Sequence, residues 1–563
     1  MKKVLEKEIK IILSDLGVEN PRVDFDIPTH IHLGDYFTNT AMTYAKQLGK
    51  KPIDLAEEIA LRLTQGNLQK QIKVKAVVPG FINFFFNESY FSDVVKNIIS
   101  EKNSYGKNDS LNGQKIIIEY TDPNPFKEFH IGHLMSNSIG EAISKIIEIQ
   151  GAEVKRLSYG GDVGLHVAKT IWAIQKKDVL PDQITTNILG SMYVIGNNSY
   201  EEDEQAKKEI DELNKIIFDK SDSKVNELYE QGRKVSIKHF QEMFIKLGTN
   251  FDKLFWESEM VEEGLKAVEE GLSKNILEKS AGAIVFKGEK YGLHTRVFVN
   301  SKGIPTYEAK ELGLSVEKIK IFDFDESIII TGNEQNDYFK VLFQVMDLLR
   351  PEVAHRTVHI GHGMLRFTSG KMSSRMGNVI TAETLISEVQ QKILGKMKDR
   401  EMGEQAKQNV SEIIAIGALK YSILKQTTEK DIIFDIEKSV SFEGDSGPYL
   451  QYATVRANSL LKKAFGVVKI SEKIPDDWET TNLERLLERF PNIIEKTGKE
   501  YAPHYIATYL IDLAGEFNSF YASHKIIDEA DSTSPYRLAL TQAFVYVMTT
   551  GLNLLGVKVP EQM

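Results

Sequence analysis

Residues 116–133 read IIIEYTDPNPFKEFHIGH, and the fold class can be inferred from them. The apolar run Ile116–Ile118 predicts a buried strand, and Pro123 and Pro125 break the chain after it. A helical pattern then runs from about residue 133 to residue 150. A buried strand, a turn and a helix in this order open a doubly wound nucleotide-binding sheet, so we predict a Rossmann-type parallel sheet.

Further strands of this sheet are indicated downstream. Glu153–Leu157 predicts a second strand, and Ile328–Ile330 and Thr357–Ile360 predict two more. A helix is predicted from about Tyr338 to Leu349. Residues 175–275 are charge-rich and mostly helical in pattern, with glutamate and lysine interleaved, and we interpret them as an insertion that interrupts the sheet.

The two ends of the chain differ from this centre. Residues 1–110 mix a helical pattern at Pro52–Leu63 with a strand-like alternation at Ile72–Val78, and helical patterns dominate beyond residue 385. We therefore predict a multidomain α/β and α protein, with an α+β N-terminal module, a Rossmann-type parallel-sheet domain that carries an inserted domain, and a C-terminal α-helical bundle. The predicted domains are 1–110, 113–385 with an insertion at about 175–290, 386–440 and 441–563.

Composition limits the functional classes. The 563 residues contain no cysteine, which excludes disulfides, thiolate nucleophiles and cysteine zinc sites and fits a reducing compartment. The N-terminus lacks the apolar core of a secretory signal, and no apolar stretch reaches the length of a bilayer span. We predict a cytoplasmic protein without zinc and without a membrane partner. The net charge of −10 leaves nucleic acid open as a partner, because phosphate binding depends on local basic surface.

The tetrapeptide His-Ile-Gly-His occurs first at 130–133, at the start of the first predicted helix. The free N–H groups and the positive dipole end of a helix N-terminus attract phosphate. Gly132 lets a nucleotide lie close to the backbone. His130 and His133 share one helical face, from which they can donate hydrogen bonds to a phosphoryl group that gains charge. Lys127 adds a positive charge nearby.

A second copy of the tetrapeptide, at 359–362, has a different context. Its two histidines lie in a predicted strand, whose alternation sends them to opposite faces, so we interpret this copy as a coincidence. Residues 370–378, GKMSSRMGN, read by composition as a mobile basic loop. Lys371 in this loop is a movable cation of the kind that suits a triphosphate. The first tetrapeptide precedes this loop, and most of the interrupted nucleotide-binding sheet lies between them in the sequence. This ordered pair of motifs resembles the signature of the class I aminoacyl-tRNA synthetases.

Longer stretches narrow the resemblance to the arginyl-tRNA synthetase family and span nearly the whole chain. They are 34–42, 79–83 (PGFIN), 119–133, 442–453 (FEGDSGPYLQYA) and 560–563 (PEQM). The resemblance implies that ATP, with its Mg²⁺, activates L-arginine to arginyl-adenylate, and that arginine is then transferred to the 3′ end of tRNA(Arg). It also implies that activation requires bound tRNA, that the ribose 2′-hydroxyl is acylated first, and that the protein is a monomer.

The resemblance further implies roles for single residues and for the domains. The implied catalytic residues are His130, His133, Lys127, Lys371 and Arg375. The implied ATP-binding residues are His130, Ile131, Gly132, His133, Lys371, Met372 and Ser373. The implied arginine-binding residues are Glu119 and Asn124 around the α-amino end, Tyr307 and Glu311 at the guanidinium, and Gln335. Residues 1–110 would contact the tRNA elbow, 386–440 the stem, and 441–563 the anticodon.

The chemistry of arginine suits this residue set. A planar guanidinium presents five donors, so carboxylates and neutral acceptors should converge on it. Tyr307 and Glu311 are four residues apart and share a face if their segment is helical, although a solvated surface pair would show the same spacing.

Several positions depart from the family pattern. Glu311 stands where aspartate is common, Tyr338 where histidine is often found, and Val163 where tryptophan is usual. In the basic loop, Ser374 replaces the lysine at the fourth position of the motif, although a serine or threonine followed by arginine is familiar in this family. Met376 stands where a further lysine is common. These departures leave open how closely specificity and rate follow those of the family.

Three other classes were weighed. Cysteinyl, methionyl and class I lysyl enzymes often hold zinc with cysteine ligands, which this chain lacks, and branched-chain enzymes carry a larger insertion than 175–275. Small nucleotidyltransferases with the same histidine pair are shorter. A silent tRNA-binding paralogue predicts the loss of His130, His133 or Lys371, and all three are present.

Overall fold

The computed structural model describes residues 1–65, 67–367 and 380–563. The chain forms two compact units, and the C-terminal helical region contributes to both. The first unit comprises Met1–Tyr105, Arg456–Phe490 and Asp512–Met548, and the second comprises Gly106–Val455, Pro491–Ile511 and Thr549–Met563. Within the described residues, no helix is long and apolar enough to cross a membrane.

Helices make up most of the described elements. The strands are β1 (Tyr36–Thr38), β2 (Ile72–Val77), β3 (Phe81–Phe86), β4 (Lys115–Glu119), β5 (Glu153–Gly160), β6 (Lys253–Trp256), β7 (Glu278–Ser280), β8 (Ala283–Phe286), β9 (Arg296–Val299), β10 (Glu326–Gly332), β11 (Thr357–His362), β12 (Leu365–Phe367) and β13 (Ile432–Phe434). The helices up to residue 354 are α1 (Lys2–Asp15), α2 (Thr40–Tyr44), α3 (Pro52–Thr64), α4 (Glu88–Glu101), α5 (Ile131–Glu148), α6 (Leu165–Lys176), α7 (Thr186–Glu202), α8 (Glu204–Asp219), α9 (Ser223–Leu247), α10 (Val261–Ser273), α11 (Tyr307–Phe322), α12 (Asn336–Leu349) and α13 (Pro351–Ala354). The later helices are α14 (Ala382–Lys396), α15 (Glu404–Leu424), α16 (Ile436–Ser439), α17 (Gly447–Ala464), α18 (Asn482–Glu500), α19 (His504–Ser523) and α20 (Ser534–Leu554).

The first unit contains a three-stranded antiparallel sheet in the order β1-β3-β2. Helix α3 begins with Pro52 in its first turn, where the missing N–H has no helical partner to lose. Its apolar face packs with α1 and the sheet into one core. In the same unit, Glu488 of α18 accepts hydrogen bonds from the hydroxyls of Tyr36 and Tyr90, both at 2.9 Å.

The second unit is organised by a five-stranded parallel sheet in the order β11-β10-β4-β5-β6. The chain runs outward from β4 through β5 to β6, and then returns to add β10 and β11 on the other side of β4. The direction of winding therefore reverses between β4 and β10. In such sheets ligands bind in the crevice outside the carboxyl ends of the strands at this switch point.

The predicted fold class is confirmed: the chain has a parallel Rossmann-type sheet, an α+β N-terminal module and a mostly helical C-terminal region. The predicted strands and helices are present, with bounds that differ by a few residues. Residues 186–247 are helical as expected, but β6, inside the predicted insertion, returns to the main sheet as its edge strand. A small antiparallel sheet, β7-β8-β9, follows it. Neither feature was indicated by the charge-rich sequence.

Helix α5 packs closely on the end of β4 because Gly140 has no side chain. A Cβ atom added at Gly140 would overlap the ring of Tyr120, which is fully buried and whose hydroxyl donates to Glu141 at 2.8 Å. We expect Gly140→Ala to lower the free energy of unfolding by about 2–3 kcal/mol through overpacking. Denaturant unfolding measures this change.

The matched control is Gly395→Ala, in the exposed part of α14, where an added Cβ would have no neighbour within 4 Å. This substitution should stabilise the protein by roughly 0.5–1 kcal/mol, because alanine favours the helix. Equal stabilities of the two variants would contradict the packing argument.

Candidate active site

A cavity of about 820 Å³ lies at the carboxyl ends of β4 and β10. The sheet topology explains its position, because this is the point where the winding reverses. The predicted site residues that line it are Glu119, Asn124, His130, Ile131, Gly132, His133, Tyr307, Glu311 and Gln335. Residues up to 216 positions apart in sequence therefore meet in one cavity.

The histidine pair is held in a defined orientation. His130 is the N-cap of α5, and its Nδ1 accepts a hydrogen bond from the Gly132 N–H at 3.1 Å. Nδ1 of His133 accepts from the His130 N–H, also at 3.1 Å, and the two rings stack with centroids 3.7 Å apart. Because each Nδ1 acts as an acceptor, each neutral ring carries its hydrogen on Nε2. Both histidines therefore present an N–H donor.

Burial keeps these two imidazoles neutral. Burial and the nearby Lys127 lower the pKa of His130 to about 4. Burial, with His130 and Lys127, lowers the pKa of His133 well below its usual value. At neutral pH the pair can donate hydrogen bonds to an anion, and neither ring contributes a full positive charge.

The loop between β4 and α5 has an unusual backbone. Thr121, Asp122 and Phe126 have φ angles of 81°, 46° and 67°, in a region that residues other than glycine seldom adopt. Hydrogen bonds hold this loop in place: Asp122 Oδ1 accepts from Tyr159 N at 2.8 Å, and Asn124 Oδ1 accepts from Gly161 N at 2.7 Å. Since Oδ1 of Asn124 is engaged, its Nδ2 is the group available to a ligand.

Four glutamates of the cavity wall are buried, and one of them, Glu308, has its Oε1 3.8 Å from Nη1 of Arg296. Glu119, at the end of β4, forms an ion pair with Lys318 at 2.5 Å. Glu257, directly after β6, forms an ion pair with Lys310. Glu311 forms no ion pair with any residue that the structure describes. Burial and the negative charge of Glu119 raise the pKa of Glu311 to about 8.

Other residues of this wall were missed by sequence reasoning. They include Asp122, Tyr159, Glu257, Arg296, Glu308, Glu334 and His362. Tyr159 is notable because its buried hydroxyl has no hydrogen-bond partner among the described residues. Their positions in the chain could have indicated them. Tyr159 lies near the end of β5 and Glu257 follows β6 directly. The carboxyl ends of parallel strands converge on the crevice, so residues at these ends are expected to line it.

The second His-Ile-Gly-His copy lies in β11, as predicted. Nε2 of His359 is 2.8 Å from the hydroxyl of Thr331, and its ring stacks on Phe339 with centroids 4.0 Å apart. His362 lines the cavity, whereas His359 does not. The two histidines therefore cannot act as a pair. The coincidence interpretation nevertheless overlooked His362, because β11 ends beside the crevice.

Several predicted site residues lie elsewhere. Lys127 lines a separate cavity of about 180 Å³, and its ammonium lies 5.2 Å from the ring centroid of Tyr193. The predicted residues Lys371, Met372, Ser373 and Arg375, and the departures Ser374 and Met376, lie outside the described residues. The chain on either side of this segment borders the site. Leu365 lines the cavity, and Ile380 O accepts from the N–H of Ile131 at 3.3 Å.

The remaining departures have clear surroundings. Tyr338 lines the cavity beside Arg296, whose guanidinium lies 5.9 Å from its ring centroid. Val163 is buried in an apolar cluster that includes Phe126 and Val167. No group of three or more histidine, aspartate or glutamate side chains in the described part of the chain is arranged to hold a metal ion.

Comparisons with known proteins cover the whole chain. The family model described as "tRNA synthetases class I (R), catalytic domain" matches residues 94–436. The "Arginyl tRNA synthetase N terminal domain" matches residues 1–86, and the "DALR anticodon binding domain" matches residues 450–563.

Individual relatives agree with these models. The arginine–tRNA ligase of Borreliella burgdorferi is 31% identical, and the match covers 99% of this chain and 98% of that protein. The arginine–tRNA ligase of Clostridium acetobutylicum is 32% identical with full coverage of both chains. Among solved structures, the arginyl-tRNA synthetase of Thermus thermophilus matches with a TM-score of 0.81 at 24% identity over all of both chains, which supports the fold.

Proposed function

Because the chain belongs to the class I arginyl-tRNA synthetase family, we propose that it joins L-arginine to the 3′ end of tRNA(Arg) at the expense of ATP. The observation that carries this proposal is the composition of one cavity. Two neutral Nε2–H donors at a helix N-terminus lie in the same cavity as an acidic wall of four buried glutamates. The first feature suits a nucleotide phosphate, and the second suits a cationic amino acid.

In the first step, a carboxylate oxygen of arginine attacks the α-phosphorus of ATP. A new C–O–P linkage forms, the bond to the β-phosphate breaks, and pyrophosphate leaves with the electron pair. The Nε2–H groups of His130 and His133 donate to phosphate oxygens as negative charge spreads over them. These hydrogen bonds need no reorganisation, because Nδ1 of each ring is already fixed by the backbone.

The basic loop is assigned to pyrophosphate departure by the family resemblance alone. Lys371 and Arg375 would neutralise the leaving group, and Met372 and Ser373 would contact ATP. The proximity of Leu365 and Ile380, which flank this segment, to the cavity supports the assignment. ATP brings Mg²⁺ with it in this proposal.

Arginine is bound along the acidic wall. Glu119 accepts from the α-ammonium group, and Nδ2 of Asn124 donates to the substrate near its α-carbon, because Oδ1 is engaged by Gly161. Tyr307, on the rim with 58% exposure, covers the guanidinium, and Glu311 pairs with it from below. Gln335 completes the pocket from the start of α12.

The other regions are proposed to bind tRNA. Residues 1–110 would contact the elbow, 386–440 the stem, and 441–563 the anticodon loop. The name of the anticodon-binding model that matches residues 450–563 supports the last of these assignments. A monomeric state and a cytoplasmic location remain predictions.

ATP–pyrophosphate exchange tests the proposed function. The full-length protein is assayed with each amino acid in turn, with and without total tRNA. We expect exchange with arginine alone, and only when tRNA is present. Exchange with a different amino acid would overturn the pocket assignment, and exchange with none would favour a tRNA-binding protein without catalytic activity.

A further inference from the structure

Three of the four buried glutamates of the cavity wall have similar burial and different partners. Glu119, Glu257 and Glu311 are 3%, 5% and 8% exposed. A buried carboxylate without a cation tends to take up a proton, because the charged form loses hydration. Glu311 follows this rule, with its pKa raised to about 8. The other two glutamates each have a lysine of α11 beside them.

Lys310 is an unusual residue for the interior of a helix packed on an active site. It is 3% exposed, and its ammonium contacts Oε2 of Glu257. The same ammonium lies 4.8 Å from the ring centroid of Tyr307, one helical turn away on α11. Lys310 itself does not line the cavity, whereas Glu257 and Tyr307 do. The lysine therefore lies behind the wall, in contact with two of the side chains that form it.

Glu257 is held in place through its backbone neighbour and through its own side chain. The following residue, Ser258, donates from its N–H and its hydroxyl to the buried Asp162, at 2.9 Å and 2.7 Å. Lys310 engages Oε2, and Oε1 makes no hydrogen bond to a described residue. The ionisable groups near Glu257 include Lys310, Asp162 and Lys127, and also Glu311, whose pKa the charge of Glu257 raises. Burial raises the pKa of Glu257, and Lys310 is the strongest influence that opposes this rise.

We propose that Lys310 is a positioning residue for arginine: it keeps Glu257 charged and oriented, so that Oε1 accepts a hydrogen bond from the substrate guanidinium. The inference rests on the proposed function, because it requires arginine as the ligand of this wall. It adds a specificity element that acts through Glu257 and does not touch the substrate. Glu257 and Glu311 then both bind the guanidinium as carboxylates. Lys310 stabilises the ionised form of Glu257, and the bound guanidinium stabilises the ionised form of Glu311.

Kinetics of the full-length Lys310→Met variant test this role. With Lys310 removed, Glu257 becomes a buried carboxylate without its cation, so its charge is lost from the pocket. We expect the arginine KM in pyrophosphate exchange to rise by about 10-fold to 100-fold, with kcat changed by less than about 3-fold. Lys310→Arg should restore KM to within about 3-fold of the parent value, because it retains the cation.

Lys320→Met is the matched control on the same helix. Lys320 is exposed and pairs with Glu263 and Glu317, outside the cavity. Its replacement should leave both KM and kcat unchanged. An unchanged KM in Lys310→Met, or an equal fall of kcat in that variant, would overturn the inference.

A double-mutant cycle separates positioning from general packing. If Lys310 acts through Glu257, the double variant Lys310→Met/Glu257→Gln should have the same arginine KM as Glu257→Gln alone. The double variant leaves no unpaired charge, so it serves even if Lys310→Met does not fold. A KM for the double variant well above that of Glu257→Gln would contradict the inference.

Exchange assays of the parent protein distinguish failure of this inference from failure of the proposed function. Exchange with arginine in the parent and a normal KM in Lys310→Met would overturn this inference and leave the proposed function intact. Absence of arginine-dependent exchange in the parent would overturn the proposed function and this inference with it.

Discussion

Replacing His133 by alanine is expected to lower the kcat of arginine activation by about 100-fold to 1,000-fold. The substitution removes an Nε2–H donor that is already oriented before substrate binds, because Nδ1 of His133 accepts from the His130 N–H. A fixed donor of this kind is worth most where charge develops, and activation adds charge to the α-phosphate as pyrophosphate leaves. No described residue of the regions proposed to bind tRNA lines this cavity, so the Kd for tRNA should stay within about 2-fold of the parent value.

Pyrophosphate exchange and a tRNA-binding titration measure the two quantities on the same preparation. His355→Ala is the matched control, because His355 is an exposed histidine whose side chain is 74% accessible. Its activity should equal that of the parent. Loss of tRNA binding as large as the loss of activation in His133→Ala would remove this histidine from the chemical step, and thermal unfolding would show whether the fold had been lost.

Replacing Glu311 by glutamine is expected to raise the arginine KM by about 10-fold to 100-fold, with a smaller effect on kcat. Glutamine has nearly the same shape but no charge, so it keeps the packing of α11 and removes the ion pair with the guanidinium. Glu311 is 8% exposed, and a charged hydrogen bond is stronger at a buried site than at a surface. Pyrophosphate exchange at varied arginine concentration measures the change. An unchanged KM would exclude Glu311 from the pocket.

The arginine KM of the parent protein should also depend on pH. With a pKa of about 8, Glu311 is mostly protonated in the empty site at pH 6 and mostly ionised at pH 9. The guanidinium binds the ionised form, so KM should fall as the pH rises from 6 to about 9, most steeply below pH 8, and then level off. In Glu311→Gln this trend should be absent. Glu317→Gln, on the same helix but outside the cavity, should retain it, and a flat profile in the parent would contradict the argument.

The sequence by itself determined the fold class and the pairing of two histidines at the start of α5. The run Ile116–Ile118, the proline-broken turn and the helix after it define the first strand–turn–helix of the sheet, because their periodicity reflects local burial. His130 and His133 could be assigned to one face because spacing along a helix fixes which side chains are neighbours. Both assignments depend only on residues close together in the chain.

The edge strand β6 could not be found in this way. Lys253–Trp256 is short and follows a long charge-rich helical region, and its pairing with β5 is made by residues about 100 positions earlier in the chain. The proposed arginine pocket shows the same limit. Tyr307 and Glu311 could be paired by spacing, but nothing in the spacing distinguished a buried glutamate from a solvated one.

Only the tertiary structure decided the electrostatics of the site. The segment Tyr307–Phe322 is rich in charge and reads as a solvated helix, yet Lys310, Glu311 and Lys318 are all less than 10% exposed. The partners of the two lysines, Glu257 and Glu119, come from the ends of two different strands. Burial and through-space pairing set the charge of each group, and both depend on which distant segments the fold brings together. Local sequence carries the periodicity of an element, whereas the environment of a buried charge exists only after the elements have packed.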